Sequence, residues 1–464
     1  MSFQDDLDDV AAFAMPDSLE GLKEHLKPEW IEEALAWSGS TSIRRRRLPA
    51  EQVVWLVIGM GLYRRESIER IVDLLGLATP DKRGTLVAKS AVSQARQRLK
   101  EDALEYLFTV TAVEWSARSA DAHRWRGLAL YGWDGTTMRV PDSDENRAEF
   151  SGGYAGAGRG DSGYPQVRVV AAMALRSHVL SAFRIADYNT GETTLAQGLW
   201  ETVPDNSLVI FDRNFLIKRQ LVHFEMAGNK HWLTRSKTNT RWSVVKHLGK
   251  NDDLVELEIN EPGIPKQWQL RAIHYKRGKF PRTTLLTSLL DPVAYPAAEL
   301  VALYHERWET EIGYDEIKTH LLDREETIRS RTPQGVRQEL WGIAIAYNLI
   351  RLEMERAAAE ARVSPTRISF VNALSYIKDE IGRLRGERLP LGTIPARLRH
   401  LRESLKRLVL PARRPDRSYP RAVKIKMTRY KRKRPKRRNH TRAGRRMGAT
   451  SKTKRRSSSP SSRK

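Results

Sequence analysis

From about Gly127 the chain changes texture, and this change limits its fold more than any other feature. GLALYGWD, YPQVRVVAAMAL, HVLSAFRIAD and SLVIFD are short apolar runs bounded by turn-forming residues. Such runs read as strands, and the last two lead closely into helix-like segments. A mixture of this kind predicts an α/β layer built on a central sheet. Between about 230 and 290, KHWLTRSK, DLVELEIN, QWQLRAIHY and RTTLLTSLL add strands with little helix, which reads as a β-rich insertion.

The flanking regions are of a different kind. Residues 1–125 read as all-α: PEWIEEALAW opens at Pro28, and LPAEQVVWLVIGMGLYRRESIERIVDLLGL suits two packed helices. SAVSQARQRLKEDALEYLF, Ser90 to Phe108, offers Gln94, Arg96, Gln97 and Arg98 on a polar face. That face fits either a recognition helix in a major groove or an ordinary solvated surface. After Arg331, TPQGVRQELWGIAIAYNLIRLEMERAAAEA predicts a long helix that returns to the core, with helical pieces to about Leu408. The organisation expected is therefore a helical domain over 1–125, an α/β domain over 126–410 ending in helices from 331, and a tail over 411–464.

Charge singles out that tail. The chain carries 81 Lys+Arg and 56 Asp+Glu, a net of +25, and residues 411–464 hold 23 of the bases and one of the acids. The tail thus supplies +22, and the other residues are close to neutral. It has too little apolar content to fold alone and is expected to be disordered, and its charge points to a polyanionic partner. With no cysteine, disulfides, thiolate metal sites and cysteine nucleophiles are excluded. The acidic opening MSFQDDLDDVAAFAM is unlike a signal peptide, and VVWLVIGMGLY is too short to span a bilayer, so a cytoplasmic protein is expected.

Two constellations carry chemistry. Four strand-like runs end in aspartate, at Asp134, Asp187, Asp212 and Asp291. An aspartate after a strand is commonly a turn former, yet carboxylates at strand ends also build metal sites on α/β sheets. Converging carboxylates can hold two divalent ions roughly 4 Å apart for in-line phosphoryl transfer, and oxygen-only donors suit Mg²⁺. The pattern does not choose among the four.

The second constellation is YHERWETEIGYDEIKTHL, Tyr304 to Leu321. On an ideal helix Arg307, Glu311 and Lys318 fall at about 300°, 340° and 320° from Tyr304, so one face gathers a phenol, two cations and a carboxylate. Asp315 shares that face, whereas Glu306, Glu309 and Glu316 point away. A solvated charge ladder would not need the tyrosine. Other chemistries fit poorly. GRGDSG, at Gly158 to Gly163, satisfies GxGxxG but precedes a strand-like run, and neither a P-loop nor HExxH occurs.

The spacing Y-(2)-R-(3)-E-(6)-K at Tyr304, Arg307, Glu311 and Lys318 resembles the signature of the insertion-sequence-four family of bacterial DDE transposases. WDGTTMRVPDS and LVIFDRNFLIKRQL resemble the stretches around that family's two catalytic aspartates. RSRTPQGVRQELWGIAIAYNLIR resembles its following helix, and RRRRLPAEQVVWLVIGMGLYRRESIERIVDLLG its amino-terminal domain. The resemblance covers roughly residues 15 to 360. It implies a ribonuclease-H-like core in which Asp134, Asp212 and Glu311 are catalytic and bind two Mg²⁺, with Mn²⁺ able to substitute. Tyr304, Arg307 and Lys318 would contact DNA. It also implies excision and strand transfer of an insertion sequence through a hairpin intermediate, by a homodimer on paired terminal repeats of double-stranded DNA. The alternatives are a DNA-binding protein that has lost catalysis and a structure-selective nuclease on the same core.

Overall fold

The computed structural model describes residues 22, 25–41, 48–77, 87–150, 152, 163–278, 281–323, 327–386 and 393–411. Arg44–Arg47, most of the GRGDSG loop and the basic tail with its expected disorder lie outside the described residues. The described residues belong to one compact unit, Met1–Ala412. They form a mixed α/β structure with a helical amino-terminal region and a large sheet.

Among the described residues the sheet is preceded by α1 (Pro28–Trp37), α2 (Ala50–Leu62), α3 (Ile68–Leu75), α4 (Lys89–Arg98) and α5 (Glu101–Ala122). Helix α2 is apolar on every side, and all its residues but Glu51 are buried. Such a helix must sit inside other helices. Helix α3 begins where the Ser67 hydroxyl accepts from the Arg70 N–H, and ends at Gly76, whose φ of 65° suits a residue without Cβ. The polar run read as Ser90–Phe108 is divided between α4 and α5. In α4, Gln94, Gln97 and Arg98 are exposed. Arg96 departs from the expected polar face: it turns inward and donates to Ser330 Oγ and the Gly335 carbonyl.

One nine-stranded sheet follows, in the order β3-β2-β1-β4-β5-β9-β8-β7-β6. Its strands are β1 (Ala129–Arg139), β2 (Gln166–Ala174), β3 (Leu180–Asp187), β4 (Ser207–Phe211), β5 (Lys230–Arg235), β6 (Ser243–Gly249), β7 (Asp252–Glu258), β8 (Gln267–Tyr275) and β9 (Thr283–Thr287). Strands β1–β2 and β2–β3 pair antiparallel, whereas β1–β4 and β4–β5 pair parallel. Helix α6 (Lys218–Met226) is the crossover that parallel pairing of β4 with β5 requires. Within the expected insertion of about 230–290, β5 thus pairs with β4, and β6 to β9 continue the same sheet by antiparallel pairing.

Beyond the sheet come α7 (Ala297–Tyr304), α8 (Trp308–Asp315), α9 (Pro333–Glu360), α10 (Phe370–Gly386) and α11 (Thr393–Lys406). Thr332 caps α9 by accepting from the Gly335 N–H, and Pro333 occupies its first turn. Helices α2 and α9 meet backbone to backbone: a Cβ on Gly342 would stand 2.7 Å from the Val57 carbonyl oxygen. Beside this crossing the fully buried Glu339 accepts from Arg64 and from the Arg329 and Ser330 backbone N–H groups. Breaking such a buried pair from one side costs about 3–5 kcal/mol. Among the described residues no helix is long and apolar enough to cross a membrane.

Alternation along the strands sorts the residues by face. Tyr131, Trp133, Val209 and Phe211 enter an aromatic core with Trp200, Phe224 and Trp232. Leu128, Leu130, Leu208 and Ile210 face the other way and pack against Leu300, Leu303 and Tyr304 of α7. Asp134 and Asp212 continue this second face.

Candidate active site

The parallel register of β1 and β4 ends at Trp133↔Phe211. Asp134 is the next residue on β1 and Asp212 the first residue past β4, and Arg307 interacts electrostatically with both. Asp134 is not at a strand end, as its sequence suggested. It is the sixth of eleven residues in β1, at the point where the β4 neighbour stops and only β2 remains paired. The other two candidate aspartates serve as turn formers. Asp187 accepts from Asn189 N–H and the Thr190 hydroxyl, and Asp291 from the Val293 and Ala294 N–H groups.

The segment from Tyr304 is not one regular helix. α7 ends at Tyr304, His305–Arg307 form a 3₁₀ turn, α8 runs Trp308–Asp315, and Glu316–Leu321 form a π turn. Tighter and looser turns alter the ideal 100° step, and π turns of this kind recur at functional sites. The four signature residues nevertheless reach the same side. Tyr304 is buried, with the Arg307 and Asp212 charges acting on it, and burial pushes its phenol up to about 12. Arg307 Nη2 donates to Glu311 Oε1 at 2.9 Å. Lys318 Nζ donates to Thr136 Oγ1 and the Thr137 carbonyl, both at 3.1 Å, just beyond Asp134 on β1.

Glycine lets α8 come this close. A Cβ on Gly132 would meet Leu175 and stand 2.5 Å from Thr310 Cγ2, next to Glu311. Asp134 receives the Gly135 N–H at 2.9 Å. Burial pushes its carboxyl up to about 6, against the pull of Gly135 and Arg307 and with the added repulsion of Glu311 and Glu192. Asp315, which shared the face in projection, is turned to Thr319 and His320 and does not act on Asp134.

The opposite face of the segment is held by cations rather than by water. Glu306 pairs with Arg176, and His178 contacts Glu309 at 2.9 Å and Glu316 at 3.3 Å. Glu316 also accepts from Tyr347 at 2.7 Å and pairs with Arg351. Burial alone would raise the Glu316 carboxyl, but Arg351, His178 and Tyr347 outweigh it and hold it at about 2.

Two neighbours of the aspartates were not singled out in the sequence. Glu192, after β3, lies over Gly135 and is held by Arg168 at 3.0 Å; a Cβ on Gly135 would stand 2.8 Å from the Glu192 carboxyl carbon. Its only sequence signal is a Gly-Glu pair opening a helix. Tyr314 looks like one more apolar helix residue. As the side chains stand, Glu311 is drawn to Arg307, and among the described residues no group of three His, Cys, Asp or Glu is poised to hold a metal ion. The donors are nonetheless of the right chemistry: all oxygen, crowded and partly buried, with Arg307 already engaged.

Comparison with known proteins shows the family to which the chain belongs. Residues 16–109 match the insertion element 4 transposase N-terminal family, and residues 133–349 match the transposase DDE domain. The transposase InsG for insertion sequence element IS4 of Escherichia coli (strain K12) is 37% identical over 421 residues, covering 89% of this chain and 93% of that protein. The putative transposase InsZ of the same strain is 38% identical over 297 residues, covering 61% of this chain and 94% of that protein. Among solved structures, a piggyBac transposase synaptic complex with hairpin DNA aligns over 87% of each chain at 13% identity and a TM-score of 0.42, too slight a likeness to carry an argument. The chain belongs to the insertion element 4 family of DDE transposases.

Proposed function

We propose that this DNA-cleaving and strand-transferring enzyme works through Asp134, Asp212 and Glu311 as metal-holding carboxylates, with Arg307, Lys318 and Tyr304 receiving DNA phosphates. The observation that carries this reading is the register that sets Asp134 beside Asp212 under the helix bearing Glu311. The strand order β3-β2-β1-β4-β5, two antiparallel pairings followed by two parallel ones, supports a ribonuclease-H-like core. On this reading β6–β9 are the β-rich insertion, and residues 1–125 the DNA-binding domain.

The donor set fits a pair of divalent ions, Mg²⁺ or Mn²⁺. A carboxyl raised by burial, with a smaller push from neighbouring carboxylates, is relieved by a cation. When bound, such ions supply Lewis-acid activation of the attacking oxygen and neutralise charge on the leaving one. The chain's own residues do the rest. Glu311 would turn from Arg307 to hold an ion, and the guanidinium would then be able to grip a phosphate through its planar fork. Lys318, anchored on β1, presents a second cation next to Asp134. Tyr304 keeps its proton, since burial holds its phenol near 12, and can donate it to a phosphate oxygen. The reaction is in-line displacement at phosphorus in four steps: water frees a 3′-hydroxyl, that hydroxyl attacks the opposite strand to close a hairpin, water reopens it, and the regenerated 3′-hydroxyl attacks target DNA. It excises the element through a hairpin and joins its ends to double-stranded target DNA, with two copies of the chain on paired ends.

The test is cleavage of duplex carrying the element's terminal repeat. Asp134→Asn, Asp212→Asn and Glu311→Gln should each abolish Mg²⁺-dependent cleavage while retaining binding to the repeat. A wild-type rate in Glu311→Gln would overturn the assignment of Glu311 as a metal-holding carboxylate.

A further inference from the structure

We propose that Tyr314 is a positioning residue that sets Asp134 against Glu311, by inserting its hydroxyl into the β1–β2 ladder at Asp134's own peptide. The inference rests on the reading of Asp134 and Glu311 as metal-holding residues. Asp134 and Ala171 are register partners in the antiparallel pair. Antiparallel partners alternate between bonded and non-bonded pairs, and the Leu175 N–H donates to the Leu130 carbonyl four residues earlier in the same register, so Asp134 and Ala171 fall at a bonded position. Here the Ala171 N–H donates to the Tyr314 hydroxyl at 2.9 Å, and the hydroxyl donates to the Asp134 carbonyl at 2.6 Å. The Tyr314 hydroxyl therefore bridges the donor and the acceptor of one ladder position.

This arrangement has a cost that packing alone does not require. Tyr314 is buried, so its hydroxyl must find partners inside the protein. The partners it takes belong to the backbone that carries Asp134. Tyr314 lies three residues after Glu311 on α8, so the two project from one side of that helix. The hydroxyl thus ties the helix of one carboxylate to the strand of the other. Gly132 below admits the helix, and the Tyr314 hydroxyl fixes where it stops. A phenylalanine would fill the same volume and leave the packing of Thr310 on Gly132 in place, but no hydrogen bond would then tie α8 to the Asp134 peptide.

The probe is Mn²⁺ alone, titrated into the full-length DNA-free protein and followed by the electron paramagnetic resonance of free Mn²⁺. Outer partners that orient metal ligands change affinity by roughly 10–100-fold when removed, and Tyr314→Phe should weaken Mn²⁺ binding by about that factor. Repeat binding should be unchanged, and cleavage should recover as Mg²⁺ is raised. A Tyr314→Phe protein that loses thermal stability but keeps wild-type Mn²⁺ affinity would reduce the residue to packing and overturn the proposal. Asp134→Asn is the companion. If it too binds Mn²⁺ as wild type does, the reading of the site has failed; if it loses Mn²⁺ while Tyr314→Phe does not, only the positioning role has failed. A measurement on the unaltered protein covers the case in which Tyr314→Phe does not fold. Hydrogen exchange of the β2 peptide containing Ala171 should slow when Mn²⁺ binds, since coupling runs both ways. Unchanged exchange there at saturating Mn²⁺ would equally overturn the proposal.

Discussion

Arg307 and Glu311 hold each other at 2.9 Å across one helical turn, so the cation and the carboxylate assigned to different partners in the reaction are each other's partner without DNA. Removing the arginine should therefore act in two directions. Arg307→Ala releases Glu311, and Mn²⁺ affinity of the DNA-free protein should hold or rise several-fold. The same variant loses a charge-assisted phosphate contact worth about 1.5–3 kcal/mol, so cleavage should slow by about 10–100-fold. Arg307→Lys should recover only part of the rate, because the planar fork is lost. Unchanged cleavage in Arg307→Ala would leave the pair as a surface ion pair worth about 0–1 kcal/mol.

Gly132→Ala tests how closely α8 must approach. The new methyl group would overlap Leu175 and Thr310 Cγ2, neither of which lies at the end of a long flexible chain. Overpacking of this kind costs about 1–3 kcal/mol. Because Thr310 adjoins Glu311, the helix should yield by moving away from the sheet, and cleavage should fall more than repeat binding. Pairing the substitution with Thr310→Ser removes the clashing Cγ2 and should restore part of both stability and rate. A double variant no better than Gly132→Ala would place the strain at Leu175 instead.

Much of this arrangement was legible in the sequence, and the remainder depended on contacts between distant segments. Strands β1 to β5 and β7 to β9 announce themselves as apolar runs, because both faces of the sheet are largely covered. Strand β6 does not: SVVKHLG lies on the outer edge, almost wholly exposed, and has no reason to alternate. Asp134, Asp187, Asp212 and Asp291 look alike in sequence, since parallel register between strands far apart in the chain leaves no local trace. The family resemblance of their flanking stretches singled out the first and third, and the register of β1 with β4 gives a physical reason for that choice. The signature residues were found by ideal helical projection, although a 3₁₀ turn and a π turn interrupt the helix. Tyr314 and Glu192 stayed unread because their partners, the β1 backbone and Gly135, are distant in sequence.

Glu316 gives a pH dependence that can be checked apart from catalysis. Its carboxyl is held at about 2 in the folded protein against an ordinary 4.5, because Arg351, His178 and Tyr347 outweigh burial. A carboxyl whose pKa is lowered by folding stabilises the fold above its unfolded value, and the contribution disappears as pH falls from about 4.5 towards 2. Glu316→Gln leaves Arg351 buried without its carboxylate, and at pH 7 it should cost about 3–5 kcal/mol in denaturant unfolding. Compared at pH 3, the two proteins should differ by less. A gap that stays constant between pH 7 and pH 3 would show that Glu316 contributes through packing rather than charge.

The tail makes the last prediction, and its ground is the sequence. Residues 411–464 carry +22 of the net +25, so the preceding residues have little net charge with which to hold DNA non-specifically. Cations spread along a segment bind phosphates by displacing counterions, without reading bases, and each contact adds to the salt dependence. Truncation after Leu410 should weaken binding to random duplex and flatten its dependence on salt. Discrimination for the terminal repeat should survive, because base contacts would come from the folded region that includes exposed Gln94, Gln97 and Arg98. Salt titrations of full-length and truncated protein on random and repeat duplex decide the matter. Equal slopes would mean that the tail is a solubilising segment and that the folded region holds DNA without it.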